Sequence, residues 1–161
     1  MSSPATPMPS LDDLIAEETE VQLARFDNAV AVDLGGRIQR RGLAESLPIA
    51  VEITKGPDVV FFAMLPGASA NNARWARRKR ATVQMFQRSS LHAQLRAEQQ
   101  GTDFNARYAL PAEDYAASGG GVPIFVRGSG FVGTATVSGL PAVEDHRLVI
   151  AALREIMAEQ G

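Results

Sequence analysis

Hydrophobic positions change period several times along the chain, and each change marks an element. Residues 1–9 show no apolar period and hold three prolines among small polar residues, so they read as a disordered N-terminal tail. Ser10, followed by Asp12 and Asp13, is a helix start: a capping hydroxyl, then carboxylates that the helix dipole favours. A first helix is expected over about Leu11 to Arg25. Asp27 or Asn28 opens a second, running to about Ser46, on which Val30, Ala31, Leu34, Gly35, Ile38 and Gly42 share one side at helical spacing. Glycine on a buried stripe costs helix propensity, which makes sense if the backbone lies close against a sheet.

After Ser46 the pattern alternates. Pro48 to Thr54 reads as a strand, Lys55-Gly56-Pro57-Asp58 as a turn and Val59 to Leu65 as a second strand, which together make a hairpin. Pro66-Gly67 breaks the sheet. A long helix follows from about Ala70 to Ser89, resuming after a break through His92 to Glu98. Gly101 to Gly121 is polar, contains Pro111, and is expected to be the most mobile excursion. A second hairpin comes next, Val122 to Arg127 and Gly130 to Ser138 around Gly128-Ser129, and then an amphipathic helix over about Ala142 to Glu159. The order helix, helix, hairpin, helix, hairpin, helix excludes a doubly wound parallel sheet. It predicts an α/β chain of the α+β kind, with an antiparallel sheet of four to five strands and packed helices, as a single domain over residues 10–161.

Composition narrows the chemistry. The 161 residues include no cysteine, which removes disulfides, thiolate metal ligands and cysteine nucleophiles. No apolar run approaches the ~20 residues of a membrane span, and the N-terminus lacks the basic start and apolar stretch of a signal peptide. A net charge of −2 gives no general attraction to nucleic acid or anionic lipid. The expectation is a cytoplasmic protein with neither nucleic acid nor membrane as partner.

Three places carry candidate chemistry. On the helix after Pro66-Gly67, Asn72, Trp75, Lys79, Thr82, Val83 and Phe86 share a face, while Arg77, Arg80, Gln84 and Arg88 lie opposite. Lys79 is the anomaly, a cation in a buried stripe, and reads either as paired with a structural carboxylate or as an anion-binding lysine. Gly119-Gly120-Gly121 before a strand allows a close backbone approach or an amide nest, but lacks the signature of a phosphate loop. In Val137-Ser138-Gly139-Leu140-Pro141-Ala142-Val143-Glu144-Asp145-His146 a strand end feeds a helix start, and His146 shares a helical face with Val143, Val149, Ile150, Leu153 and Met157. An inward imidazole there reads as a satisfied core residue, a ligand or a general acid/base. Ser138 and His146 lack a Gly-x-Ser-x-Gly elbow and a third member, so a hydrolytic triad is not expected. His92 sits in a polar stretch without metal-ligand spacing, and no metal site is expected.

Five motifs follow in one order: Leu65-Pro66-Gly67; Asn72-x-x-Trp75-x-x-x-Lys79; Phe86-x-x-Ser89-Ser90; Gly120-Gly121-Val122-Pro123-Ile124; and Val137 to Pro141 with Glu144-Asp145-His146. Together they resemble the haem-degrading-domain family, in its small bacterial and fungal branch related to GlcG-like and HbpS-like proteins, over about Asp27 to Met157. The resemblance implies a profilin-like fold, an antiparallel sheet with helices on both faces, and assembly into homo-oligomers. Lys79, Gly120, Gly121, Ser138, Gly139, Asp145 and His146 carry over as pattern residues and are the candidate ligand-binding set. His146 is the one catalytic candidate. Haem would need an axial ligand, an apolar slot and cations for its propionates, roles open to His146, Tyr108 or Tyr115, and Lys79. The leading expectation is a small-molecule-binding domain, with haem or another anionic cofactor as ligand, in a pocket where His146 meets Lys79 and the Gly119–Gly121 loop. The alternatives are a non-enzymatic oligomeric scaffold or chaperone-type adaptor, and an enzyme acting on a small oxoacid or haem product through His146.

Overall fold

The structure, a computed structural model, describes residues 7–161. The expected tail falls mainly on residues 1–6, outside the described residues, whereas the Pro7 carbonyl accepts a hydrogen bond from Arg147 at 2.8 Å.

Helix α1 (Leu11–Glu20) begins at Ser10 in a reciprocal capping box: Ser10 Oγ accepts from the Asp13 amide, and Asp13 accepts from the Ser10 amide. It stops five residues before the expected end at Arg25, because Val21 and Leu23 are both buried. In a continued helix those two side chains would diverge by about 200°, whereas extended backbone points them the same way. The chain therefore leaves the helix and forms β1 (Gln22–Leu23). Helix α2 (Asn28–Ala44) is capped by Asp27, whose carboxylate accepts from the Val30 amide, and its buried residues are the six of the expected stripe. A Cβ on Gly35 would lie 2.3 Å from the Phe61 ring, and one on Gly42 would lie 2.4 Å from Leu65, so the glycines do let this helix approach the sheet.

The hairpin strands are β2 (Ala50–Lys55) and β3 (Asp58–Met64). The long central helix divides into α3 (Ala70–Phe86) and α4 (Ser90–Gln100), with Gln87 in the left-handed region at φ 55° and Ser89 capping the new start. The segment expected to be loose instead carries α5 (Phe104–Tyr108) and is tied to α3. Arg78 donates to the Ala112 carbonyl, and Thr82 Oγ1 bonds both the amide and the carbonyl of Ala116. Strands β4 (Gly121–Val126) and β5 (Gly130–Ser138) form the second hairpin, and α6 (Ala142–Gln160) ends the chain.

The five strands form one sheet in the order β1-β4-β5-β2-β3. All pairs are antiparallel except β1 with β4, so the sheet is mixed rather than purely antiparallel as expected. This is an α+β arrangement of the profilin-like kind. Helices α2 and α6 cover one face and α3, with α4, the other. Alternation makes those faces unlike. Val51, Ile53, Val122, Ile124, Ala135 and Val137 point into the main apolar core with α2 and α6. Beneath α3 the intervening residues are polar: Glu52 lies opposite Thr136 and Thr54 opposite Thr134, with the two threonine hydroxyls 2.6 Å apart. Arg80 of α3 reaches down to Glu52 at 3.1 Å.

Candidate functional site

Lys79 sits in this polar layer with 3% of its surface exposed. Its ammonium donates to Asp145 Oδ2 at 3.0 Å and to the Val137 carbonyl at 3.2 Å. Asp145, 1% exposed, also accepts from the amides of Gly139 (3.3 Å) and Leu140 (2.9 Å). One carboxylate thus ties α3, the end of β5 and the first turn of α6 into a closed network. Burial raises the Asp145 carboxyl to about 6 against the opposing pull of Lys79 and the two amides, and burial lowers Lys79 against the pull of Asp145.

The glycines of the pattern are the packing surface of that network. At Gly120 φ is +136°, and an added Cβ would meet the Val137 carbonyl at 2.3 Å and the Lys79 ammonium at 2.8 Å. Gly139, at φ +150°, passes the Pro48 carbonyl so closely that a Cβ would sit 2.4 Å from it. The Gly121 amide donates to Ser90 Oγ at 2.9 Å, which gives the second serine of the Ser89-Ser90 pair a partner. Ser138 is buried at the end of β5, opposite Ala50. Lys79, Gly120, Gly139 and Asp145 are therefore brought together, with Gly121 and Ser138 beside them.

His146 is not part of this cluster, which corrects the expectation that it meets Lys79. Successive residues on a helix diverge by about 100°, so when Asp145 points at α3 its neighbour points elsewhere. The His146 imidazole faces α1, where Nε2 lies 2.6 Å from Glu17 Oε1, and Nδ1 is buried without a hydrogen-bond partner among the described residues. It borders an open groove between α1 and α6, walled by Leu47, Leu140 and Ile150 and carrying Arg41, Arg147 and Arg154 beside the carboxylates of Asp13, Glu17, Glu20, Glu45 and Glu144. Arg154 pairs with Glu20 at 3.3 Å and Arg41 with Glu45 at 3.0 Å. Neither Tyr108 nor Tyr115 lines this groove. Glu17, the residue that holds the histidine, is not legible in the sequence, because it lies 129 positions away on a helix with no signature of its own.

Fold and motif geometry together define a profilin-like α+β protein whose glycine-rich strand entry is closed over a buried Lys–Asp pair. Residues 26–154 match the family described as Haem degrading protein HbpS-like, and the chain belongs to that family. A UPF0303 protein of Mesorhizobium japonicum is 42% identical over 141 residues, spanning 87% of this chain and 84% of that protein. The crystal structure of Ybr137w protein superposes with a TM-score of 0.85 at 25% identity, covering 93% of this chain and 88% of that one. The crystal structure of a PduOC:haem complex superposes at 0.67 with 17% identity, covering 82% and 94%, a likeness of fold.

Proposed function

We propose that the chain is a small-molecule-binding domain whose ligand is haem or a related anionic cofactor, held in the α1–α6 groove with His146 as the ligating or hydrogen-bonding group. The observation that carries this reading is the position of His146: a buried imidazole with an orphaned Nδ1, beside an open groove with apolar walls and one guanidinium, Arg147, that no carboxylate pairs among the described residues. Kinship with the HbpS-like family and the fold shared with a haem complex support it. Arg147, which forms no ion pair among the described residues, is placed for a propionate and Leu140 and Ile150 for the macrocycle's apolar faces, whereas Arg154 would have to leave Glu20 to take the second propionate. Glu17 holds Nε2, so ligation through that atom requires their contact to open. Lys79, Gly120, Gly121, Ser138, Gly139 and Asp145 act in this reading as positioning residues: they fix the start of α6 and with it the direction of His146. Haemin titration followed at the Soret band tests it. The wild-type protein should give a saturable shift that His146→Ala weakens at least tenfold. A shift of equal affinity in a folded His146→Ala variant removes the histidine from the site.

A second reading, a homo-oligomeric scaffold, rests on a different surface. Val59, Phe62 and Met64 of the edge strand β3 pair with Thr54, Glu52 and Ala50, so they lie on the α3 side of the sheet, and they are 50%, 47% and 43% exposed. An edge with free backbone groups and an apolar stripe is the surface a second copy would cover.

A further inference from the structure

His92, set aside on sequence grounds, lies at a second concavity remote from His146. Ser89 caps α4 and turns its first residues inward, so the His92 side chain is buried at 7% exposure. Its imidazole makes no hydrogen bond among the described residues, although it borders the hollow between α3, α4 and α5. Three rings form the apolar side of that hollow. Phe86, Phe104 and Tyr108 meet with centroids 4.9–5.6 Å apart, and Phe86 and Tyr108 stay more than a third exposed. Two guanidinium groups stand at the rim. Arg96 and Arg107 form no ion pair among the described residues, and Arg107 donates to Gln100 at 2.6 Å while lying 5.7 Å from the Tyr108 ring. Arg88, by contrast, is neutralised by Glu18 at 2.8 Å.

This combination is not what packing alone requires. Two rings more than a third exposed have apolar area to bury, unpaired arginines carry charge to neutralise, and an imidazole with no hydrogen-bond partner among the described residues lines the hollow. Burial and the nearby Arg88 and Arg96 lower the His92 pKa, which leaves the ring neutral and able to accept or donate one hydrogen bond. We propose that this hollow is a binding site for a small aromatic anion: one ring stacked against Phe86, Phe104 and Tyr108, with its phosphate or carboxylate held by Arg96 and Arg107 and a polar substituent facing His92. Its size sets the limit. The cavity encloses about 160 Å³, below the ~300 Å³ at which pockets for drug-sized ligands begin, so it takes a single ring and not a porphyrin. The site is therefore independent of the haem reading.

Calorimetry and amide chemical-shift mapping with phenyl phosphate test the proposal, with inorganic phosphate and phenol as the separate halves of the probe. Phenyl phosphate should bind saturably, move the amides of α4 and α5, and bind at least tenfold more tightly than either half. Arg96→Gln and Arg107→Gln, both at exposed positions, should each weaken it about tenfold, the size of one lost charged hydrogen bond, while Arg127→Gln leaves it unchanged. Equal affinity for inorganic phosphate would overturn the aromatic part, and equal affinity for phenol the anionic part. No saturable binding, shifts confined to α1 and α6, or affinity untouched by both arginine variants would overturn the site. Haemin binding that fails while phenyl phosphate binds counts against the His146 groove alone.

Discussion

A lysine in the middle of a buried helical stripe is readable from spacing, but its partner is not. Asp145 and His146 stand side by side at the start of α6, both polar, and only the phase of that helix against the sheet decides which one faces Lys79. The result is a buried pair whose two shifts have opposite consequences for stability. The folded Asp145 carboxyl keeps its proton to about pH 6, against 3.8 for an unperturbed aspartate. Its contribution is therefore full below 3.8 and lost as pH rises through about 6. For Lys79, lowered from 10.5, the contribution is present above 10.5 and lost as pH falls through the folded value. Lys79→Met leaves an unpaired buried carboxylate and should cost about 3–5 kcal/mol in denaturant unfolding, with Lys79→Met/Asp145→Asn recovering much of the loss. Carboxyl ¹³C titration provides the matching readout: the Asp145 midpoint should move above its value of about 6 once the ammonium is gone. A Lys79→Met variant as stable as wild type would mean that the pair does not hold α3 to α6.

At the scale of elements, the patterns with long periods survive intact. The α2 stripe, both hairpins and the capped start of α1 follow from local sequence, since each needs only neighbours in the chain. What the chain order hides is β1, two residues long and defined only by pairing with β4 about a hundred residues later. Nor does a polar composition announce α5, whose support comes from Thr82 and Arg78 on α3. Strand β3 is the element with unfinished contacts. In sedimentation velocity the protein should run heavier than its 17.2 kDa chain, and Phe62→Lys, changing an exposed side chain on that edge, should return it to the monomer. A wild-type protein that sediments as a monomer at tens of micromolar contradicts the self-association reading.

Across the whole molecule, α1 is the loosely attached piece. Its one buried side chain, Leu14, joins a small satellite cluster with Leu91 and Val143, apart from the main core. The remaining ties are polar: Glu17 to His146, Glu18 to Arg88 and the Ser89 amide, and Glu20 to Arg154. The site was therefore only half visible in the sequence. The motif residues could be read, whereas the helix that covers His146 lies outside every motif and carries only ordinary glutamates. No helix among the described residues is long and apolar enough to cross a membrane. In the proposed groove, Glu17 occupies the His146 Nε2 that a ligand would take. The most direct measurement is haemin affinity in Glu17→Ala, which removes the competitor and leaves the histidine. Soret titration should show binding about tenfold tighter than wild type, the scale of a released charged hydrogen bond. Affinity unchanged or weakened in a folded Glu17→Ala variant would contradict the account.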